Sequence, residues 1–173
     1  MKRFLKRFAK RFIKNATLSF AFPIAYKYFA RKPVAAGRVL FFETKETDMP
    51  DSFELLYQRL ELDAGKHPRY MTLNQNHVSY VQYLKNSIWA LHEISRAEVV
   101  FLADASDLVS CIEVRPETRV VQLWHACGAF KKWGMSTADL KFGGTRKELL
   151  RHPFYKNLSL VTVSSPDVAW AYE

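Results

Sequence analysis

A chain of 173 residues with a hydrophobic fraction of 49% is long enough to form roughly one domain that buries most of the surface its unfolded form exposes. Its net charge of +9 suggests a nucleic-acid surface until it is divided: residues 1–32 hold ten of the 26 Lys and Arg and no acid, leaving 16 basic against 17 acidic residues elsewhere. The body is thus about −1, which argues against a general phosphate-binding surface on it and assigns the basicity to one segment.

That segment comes first in the chain. In Lys2 to Lys14, a helix at ~100° per residue puts Phe4, Leu5, Phe8, Ala9 and Phe12 on one arc, every Lys and Arg on the other, and Ile13 near the border. A basic amphipathic helix with aromatic anchors lies in the plane of an anionic membrane surface, each basic residue contributing ~1 kcal/mol. Phe4, Lys6, Arg7, Phe8, Lys10, Arg11 and Phe12 are therefore expected to bind the membrane. The apolar run from Ala16 to Tyr26 is interrupted by Ser19 and Pro23 and is shorter than the ~20 residues a spanning helix needs. Two other readings stand beside surface docking. One is the hydrophobic region of a signal peptide, with Val34-Ala35-Ala36-Gly37 as its cleavage site; the other is a solvated charge run ahead of the domain.

The body carries β-rich runs at Arg38 to Glu43, Arg69 to Leu73, Glu98 to Ala103, Arg119 to Trp124 and Leu158 to Ser164. They are nearly continuous in apolar residues, as strands covered on both faces are. Helical patterns fall between them at Ser52 to Glu61, Val78 to Ala97 and Ala138 to Leu150. Alternating strands and helices predict an α/β fold, a Rossmann-like parallel sheet with flanking helices over 38–173. Right-handed crossovers then bring all the strand carboxyl ends to one edge, with Glu43, Ala103-Asp104, Trp124-His125 and Ser164-Ser165 on it. No glycine-rich dinucleotide or Walker motif follows any strand, and no cofactor is expected.

The fourth run ends in Trp124-His125-Ala126-Cys127-Gly128-Ala129-Phe130-Lys131-Lys132-Trp133-Gly134. An imidazole at a strand's carboxyl end is placed to take a proton from a bound hydroxyl near neutral pH. His125 is the candidate catalytic base, against a structural histidine tied to a backbone carbonyl. Lys131 and Lys132 are candidate phosphate ligands, and since neighbours on a helix diverge by ~100° one of the two points inward. Their alternative is a solvated helix start. Ser165 opens a helix whose free N–H groups suit an anion, or simply caps it before Pro166. Trp124 stacks on a sugar or fills the core, and Asp48 and Asp104 are acidic partners for the imidazole or for acceptor hydroxyls, or cap turns. Cys127 reads as a thiolate partner of His125 or as a small buried residue in a tight turn. Cys111 and Cys127 are too few for a disulfide framework, and no Cys/His cluster has zinc-ligand spacing, so no metal site is expected.

This segment resembles the Trp-His-Gly-Thr...Lys-Lys...Gly signature of the CDP-glycerol glycerophosphotransferases, the teichoic-acid polymerase and primase family. Leu40-Phe41-Phe42-Glu43, Asp48-Met49-Pro50 with Leu56-Tyr57, and Ser164 to Glu173 resemble further stretches of that family, so the likeness runs from about Val39 onward. Ala126 stands where the family has Gly, Cys127 where it has Thr, and the turn is one residue longer. The resemblance implies the amino-terminal domain of a GT-B architecture, with the nucleotide bound by a carboxyl-terminal domain to which nothing in this chain corresponds. It implies that His125 acts as general base on the acceptor hydroxyl, which attacks the β-phosphate of CDP-glycerol and expels CMP. The acceptor would be a lipid-linked wall polymer at the cytoplasmic face of the cell membrane, where the protein is peripheral. Two rivals remain. One is a non-catalytic membrane-surface interaction module derived from the same fold; the other is a nucleic-acid binder using the basic arm, which the near-neutral body disfavours.

Overall fold

The computed structural model describes residues 12–124, 134–138, 140 and 145–172. Five strands, β1 (Arg38–Glu43), β2 (His67–Thr72), β3 (Val99–Leu102), β4 (Arg119–Gln122) and β5 (Leu160–Val161), form one sheet in the order β2-β1-β3-β4-β5. Every neighbouring pair is parallel. The helices are α1 (Phe22–Phe29), α2 (Asp51–Glu61), α3 (Tyr80–Arg96), α4 (Asp107–Ser110) and α5 (Arg146–Arg151). Gly134–Thr137 and Pro166–Tyr172 add two 3₁₀ segments. This is the expected Rossmann-like α/β fold.

β1 is buried along its whole length except at Arg38, as a central strand with helices on both faces must be. Successive side chains alternate in direction. Leu40 and Phe42 join Leu91, Ile94, Val100, Leu102 and Val120 in one core cluster, which also takes Leu18, Phe22 and Tyr26 from the amino-terminal helix. Val39 and Phe41 face the other way and pack with Phe53 of α2. There Phe41 meets the rings of Phe53 and Tyr57 edge-on, each at 5.2 Å between centroids, an arrangement the ring quadrupoles favour.

The apolar run Ala16 to Tyr26 is helical, but not uniformly so. A π-turn over Thr17–Ala21 runs directly into α1, and the Phe22 N–H bonds the Thr17 carbonyl five residues back. Pro23 follows at once. Its ring nitrogen has no hydrogen to give, and the wide turn absorbs the register that a proline inside a helix disrupts. The inward stripe Leu18, Phe22, Tyr26 is buried, whereas Phe20, Ile24 and Tyr28, offset by two residues, are 67%, 66% and 63% exposed. The Tyr26 hydroxyl accepts the Arg115 N–H at 3.1 Å, and Arg115 reaches the Lys32 and Ser95 carbonyls. No helix among the described residues is long and apolar enough to cross a membrane.

β4 and β5 are shorter than the sequence pattern suggests. β4 stops at Gln122, and Trp124 turns into the left-handed region at φ 70°, which a bulky side chain adopts only under constraint. Among the described residues β5 pairs only with β4, and Leu160 is 57% exposed, so its apolar run extends past the bonded portion. Of the expected helix Ala138 to Leu150, the regular described part is α5. The turn Val34 to Gly37 is tightly built: a Cβ on Gly37, at φ +72°, would sit 2.1 Å from the Gly65 carbonyl oxygen.

Candidate active site at the carboxyl edge of the sheet

The strand order reverses its winding direction between β1 and β3, and in open parallel sheets the crevice outside the carboxyl ends at that switch is the ligand site. Here a cavity of ≈ 230 Å³ opens at that place, lined by Thr44, Lys45, Gln75, Asp104, Ser106 and neighbours from the loops after β1, β2 and β3. β1 delivers Glu43 and Thr44, 5% and 6% exposed. Glu43 is turned back on the backbone, its Oε1 accepting the Lys45 N–H at 2.8 Å. Leu73 N and Gln75 N donate to the Glu43 and Thr44 carbonyls at 3.0 and 3.1 Å, which stitches the loop after β2 to the loop after β1.

Across the switch, the Lys45 ammonium pairs with the Asp104 carboxylate. Asp104 also accepts the Ala105 N–H at 2.7 Å through Oδ1. Its side chain is only 14% exposed, so the carboxylate is held both as a turn cap and as one half of a shielded ion pair. Ser106 caps α4 by accepting the Val109 N–H at 3.3 Å. The cavity thus combines a cation, a carboxylate and hydroxyls. Such a set can hold a polyhydroxylated or phosphorylated group by charge-assisted hydrogen bonds.

One strand further along, Gln122 at the end of β4 is 1% exposed. Its Nε2 donates to the Leu102 carbonyl at 3.3 Å, while its Oε1 is buried with no hydrogen-bond partner among the described residues. The Thr162 hydroxyl donates to the Leu123 carbonyl at 3.0 Å, fixing β5 to the end of β4. Trp124, half-buried, lies beyond the strand rather than in it. His125, Cys127, Lys131 and Lys132 lie outside the described residues, as do Phe4, Lys6, Arg7, Phe8, Lys10 and Arg11. Phe12 is 66% exposed.

The motif's last residue, Gly134, is described. At φ +57°, an added Cβ would lie 1.9 Å from the Tyr155 hydroxyl, and that hydroxyl accepts the Met135 N–H at 3.3 Å. Glycine is therefore required twice over, by backbone conformation and by contact. Ser165 acts as a cap: its Oγ accepts the Asp167 N–H at 3.2 Å and donates to the Asp167 carboxylate at 3.1 Å. An anion approaching that hydroxyl has to compete with Asp167.

A family model described as CDP-glycerol:poly(glycerophosphate) glycerophosphotransferase matches residues 24–172. The chain belongs to this family. A teichoic acid ribitol-phosphate primase of Bacillus spizizenii is 30% identical over 148 residues, covering 84% of this chain and 38% of the relative. A teichoic acid poly(ribitol-phosphate) polymerase of the same organism is 26% identical over 87% of this chain and 24% of its own length. A teichoic acid ribitol-phosphate polymerase of Staphylococcus aureus is 27% identical over 75% of this chain and 23% of its own. The chain thus spans well under half the length of these curated relatives.

Within this family member, the other titratable groups have structural settings. Burial pushes the Cys111 thiol up to about 12, far from a reactive thiolate. Burial lifts the Tyr70 hydroxyl to about 12, with Glu43 and Asp48 adding to it, and that hydroxyl donates to the Asp48 carbonyl at 2.8 Å. His77 is exposed and pairs with Glu46 at 2.9 Å. Glu93, 4% exposed, gathers Arg38, Arg69 and His92 at 3.4, 3.3 and 3.1 Å. Among the described residues no three His, Cys, Asp or Glu side chains converge as a cation's ligand set.

Proposed function

We propose that this chain is the acceptor-side half of a polyol-phosphate transferase of teichoic-acid synthesis. The observation that carries the reading is the carboxyl edge itself: the Lys45–Asp104 cavity opens at the β1/β3 switch, and β3 pairs on its other side with β4, the strand that leads into Trp124-His125. Family membership over residues 24–172 supports the reaction class. In the proposed step His125 takes the proton of the acceptor's terminal hydroxyl. The freed oxygen attacks the donor's β-phosphorus, a new O–P bond forms, the phosphoanhydride bond breaks and CMP leaves with its electron pair. Lys131 or Lys132 stabilises charge on the transferred phosphate, and Lys45 and Asp104 orient acceptor hydroxyls. Ser165 contributes an anion contact at the same edge.

The donor in this reading is CDP-glycerol, in keeping with the family description. The relatives, a ribitol-phosphate primase and a poly(ribitol-phosphate) polymerase, bring in a ribitol-phosphate donor as the second reading. The acceptor is a lipid-linked wall polymer, and the basic arm with Phe4, Lys6, Arg7, Phe8, Lys10, Arg11 and Phe12 holds the protein peripherally on the anionic cytoplasmic face of the cell membrane. Charge supports that placement: residues 1–32 carry ten basic groups and no acid. The test supplies the whole gene product with a lipid-linked acceptor in anionic vesicles and either labelled donor. Transfer from CDP-glycerol supports the first reading, transfer only from the ribitol donor supports the second, and transfer from neither by a folded protein sinks both.

A further inference from the structure

Beside the polar cavity runs a second, larger recess of ≈ 540 Å³ between the amino-terminal helix and the entrance to α3, walled by Ile13, Leu18, Phe22, Val78 and Tyr80. The two share Gln75, Tyr83 and Asp107 as common walls, so an apolar groove leads directly into a polar site. At the junction the Lys14 ammonium, 61% exposed, rests on the Asp107 carboxylate at 2.7 Å. We propose that this groove holds the hydrocarbon chain of the amphiphilic acceptor, with the phosphate next to that chain on Lys14 and the hydroxylated head in the Lys45–Asp104 cavity.

The proposal rests on the transferase reading for the identity of the head, but not for the chain-binding itself. Three observations select one chain with one anionic head over bulk lipid. The groove is concave and ends in a polar cavity, whereas a bilayer meets convex surface such as the outward stripe Phe20, Ile24, Tyr28. The Lys14 ammonium stands where apolar and polar walls meet, and a phosphate there takes the place of the Asp107 carboxylate as its partner. The recess is also of the size that encloses a small ligand rather than a membrane patch.

Calorimetric titration of the full chain with monomeric decyl phosphate, propyl phosphate and inorganic phosphate tests this. Each methylene entering the groove tightens binding about fourfold. Decyl phosphate, with three or four more buried methylenes than propyl phosphate, should therefore bind about 60- to 250-fold tighter. Ile13→Gln and Val78→Gln, at the rim and outside the core clusters, should each cut that ratio about tenfold, and Lys14→Gln should weaken decyl phosphate while leaving decanol unchanged. Equal affinity for the two alkyl phosphates overturns the proposal. So does a ratio insensitive to both rim variants, or one lost instead in Phe20→Gln, which would put the chain on the outer face of the helix. A parallel transfer assay separates the two claims. Transfer without chain-length preference removes the groove alone, and chain-length preference without transfer removes the transferase reading alone.

Discussion

Replacing Phe22 by alanine should cost far more than replacing Phe20, two residues away on the same helix. Phe22 is 2% exposed and belongs to the cluster with Leu40, Leu91 and Ile94, while Phe20 is 67% exposed. Deleting a fully buried phenyl group loses its transfer free energy and leaves a cavity, together about 3–5 kcal/mol. A substitution on the open face stays within about 0.5 kcal/mol. With a urea m-value of about 2 kcal/mol/M, Phe22→Ala should lower the unfolding midpoint by roughly 1.5–2.5 M. Phe20→Ala should leave it almost unmoved. Urea titration followed by circular dichroism and by tryptophan fluorescence measures both variants. Similar midpoints for wild type and Phe22→Ala, with m unchanged, would mean that the amino-terminal helix does not complete the sheet's core and would refute the reasoning. A vesicle-binding measurement on the same two proteins adds the converse: Phe20→Ala should lose affinity for anionic vesicles if the outward stripe meets the membrane.

Three further outcomes follow from local geometry. Gly134→Ala, which must leave φ +57° and push the Tyr155 hydroxyl away from 1.9 Å, should destabilise by more than about 1 kcal/mol and speed hydrogen exchange at the Met135 amide. Cys111, with its thiol raised by burial from 9.0 to about 12, should resist a thiol reagent at neutral pH until the chain unfolds. Because the folded state keeps that proton longer than the unfolded state, stability should fall as pH rises from about 9 toward 12, and Cys111→Ala should flatten that slope. His152, half-buried, has its pKa lowered by burial first and by Arg151 next, and lies 3.5 Å from the Ser19 hydroxyl. The unfolded state therefore takes up a proton before the folded one does, so stability should decline as pH falls below about 6.5. His152→Gln should remove part of that decline in chemical denaturation.

The sheet was legible because strands covered on both faces leave continuous apolar runs, and β1 reads directly as Arg38 to Glu43. β5 was overread for the same reason: Leu160, Val161 and Val163 are apolar, but the pattern does not say that an edge strand stops pairing. Pro23 interrupts the apolar run in sequence, yet a π-turn carries the helix through it, an adjustment no residue pattern announces. Glu43 and Asp104 follow apolar runs and so mark the carboxyl edge in the sequence, whereas nothing local marks Lys45, whose partner is 59 residues away. The Glu93 cluster and the Asp107 contact to Lys14 are likewise products of tertiary juxtaposition. A rule could have found Lys45: polar residues just past the carboxyl ends of the strands flanking a switch point are ligand candidates. The left-handed turn at Trp124 has no sequence signature, since bulky residues rarely adopt it.

The most direct test of the account compares the whole gene product with its His125→Ala and Lys45→Ala variants in single-turnover transfer of labelled polyol phosphate to a lipid-linked acceptor. Loss of a general base predicts a rate about 10²–10⁴-fold lower for His125→Ala, with folding and vesicle binding intact. Lys45→Ala should chiefly raise the acceptor concentration needed for half-maximal rate. Equal rates for wild type and His125→Ala would contradict the account, because the carboxyl edge of this sheet would then not be where the acceptor hydroxyl loses its proton.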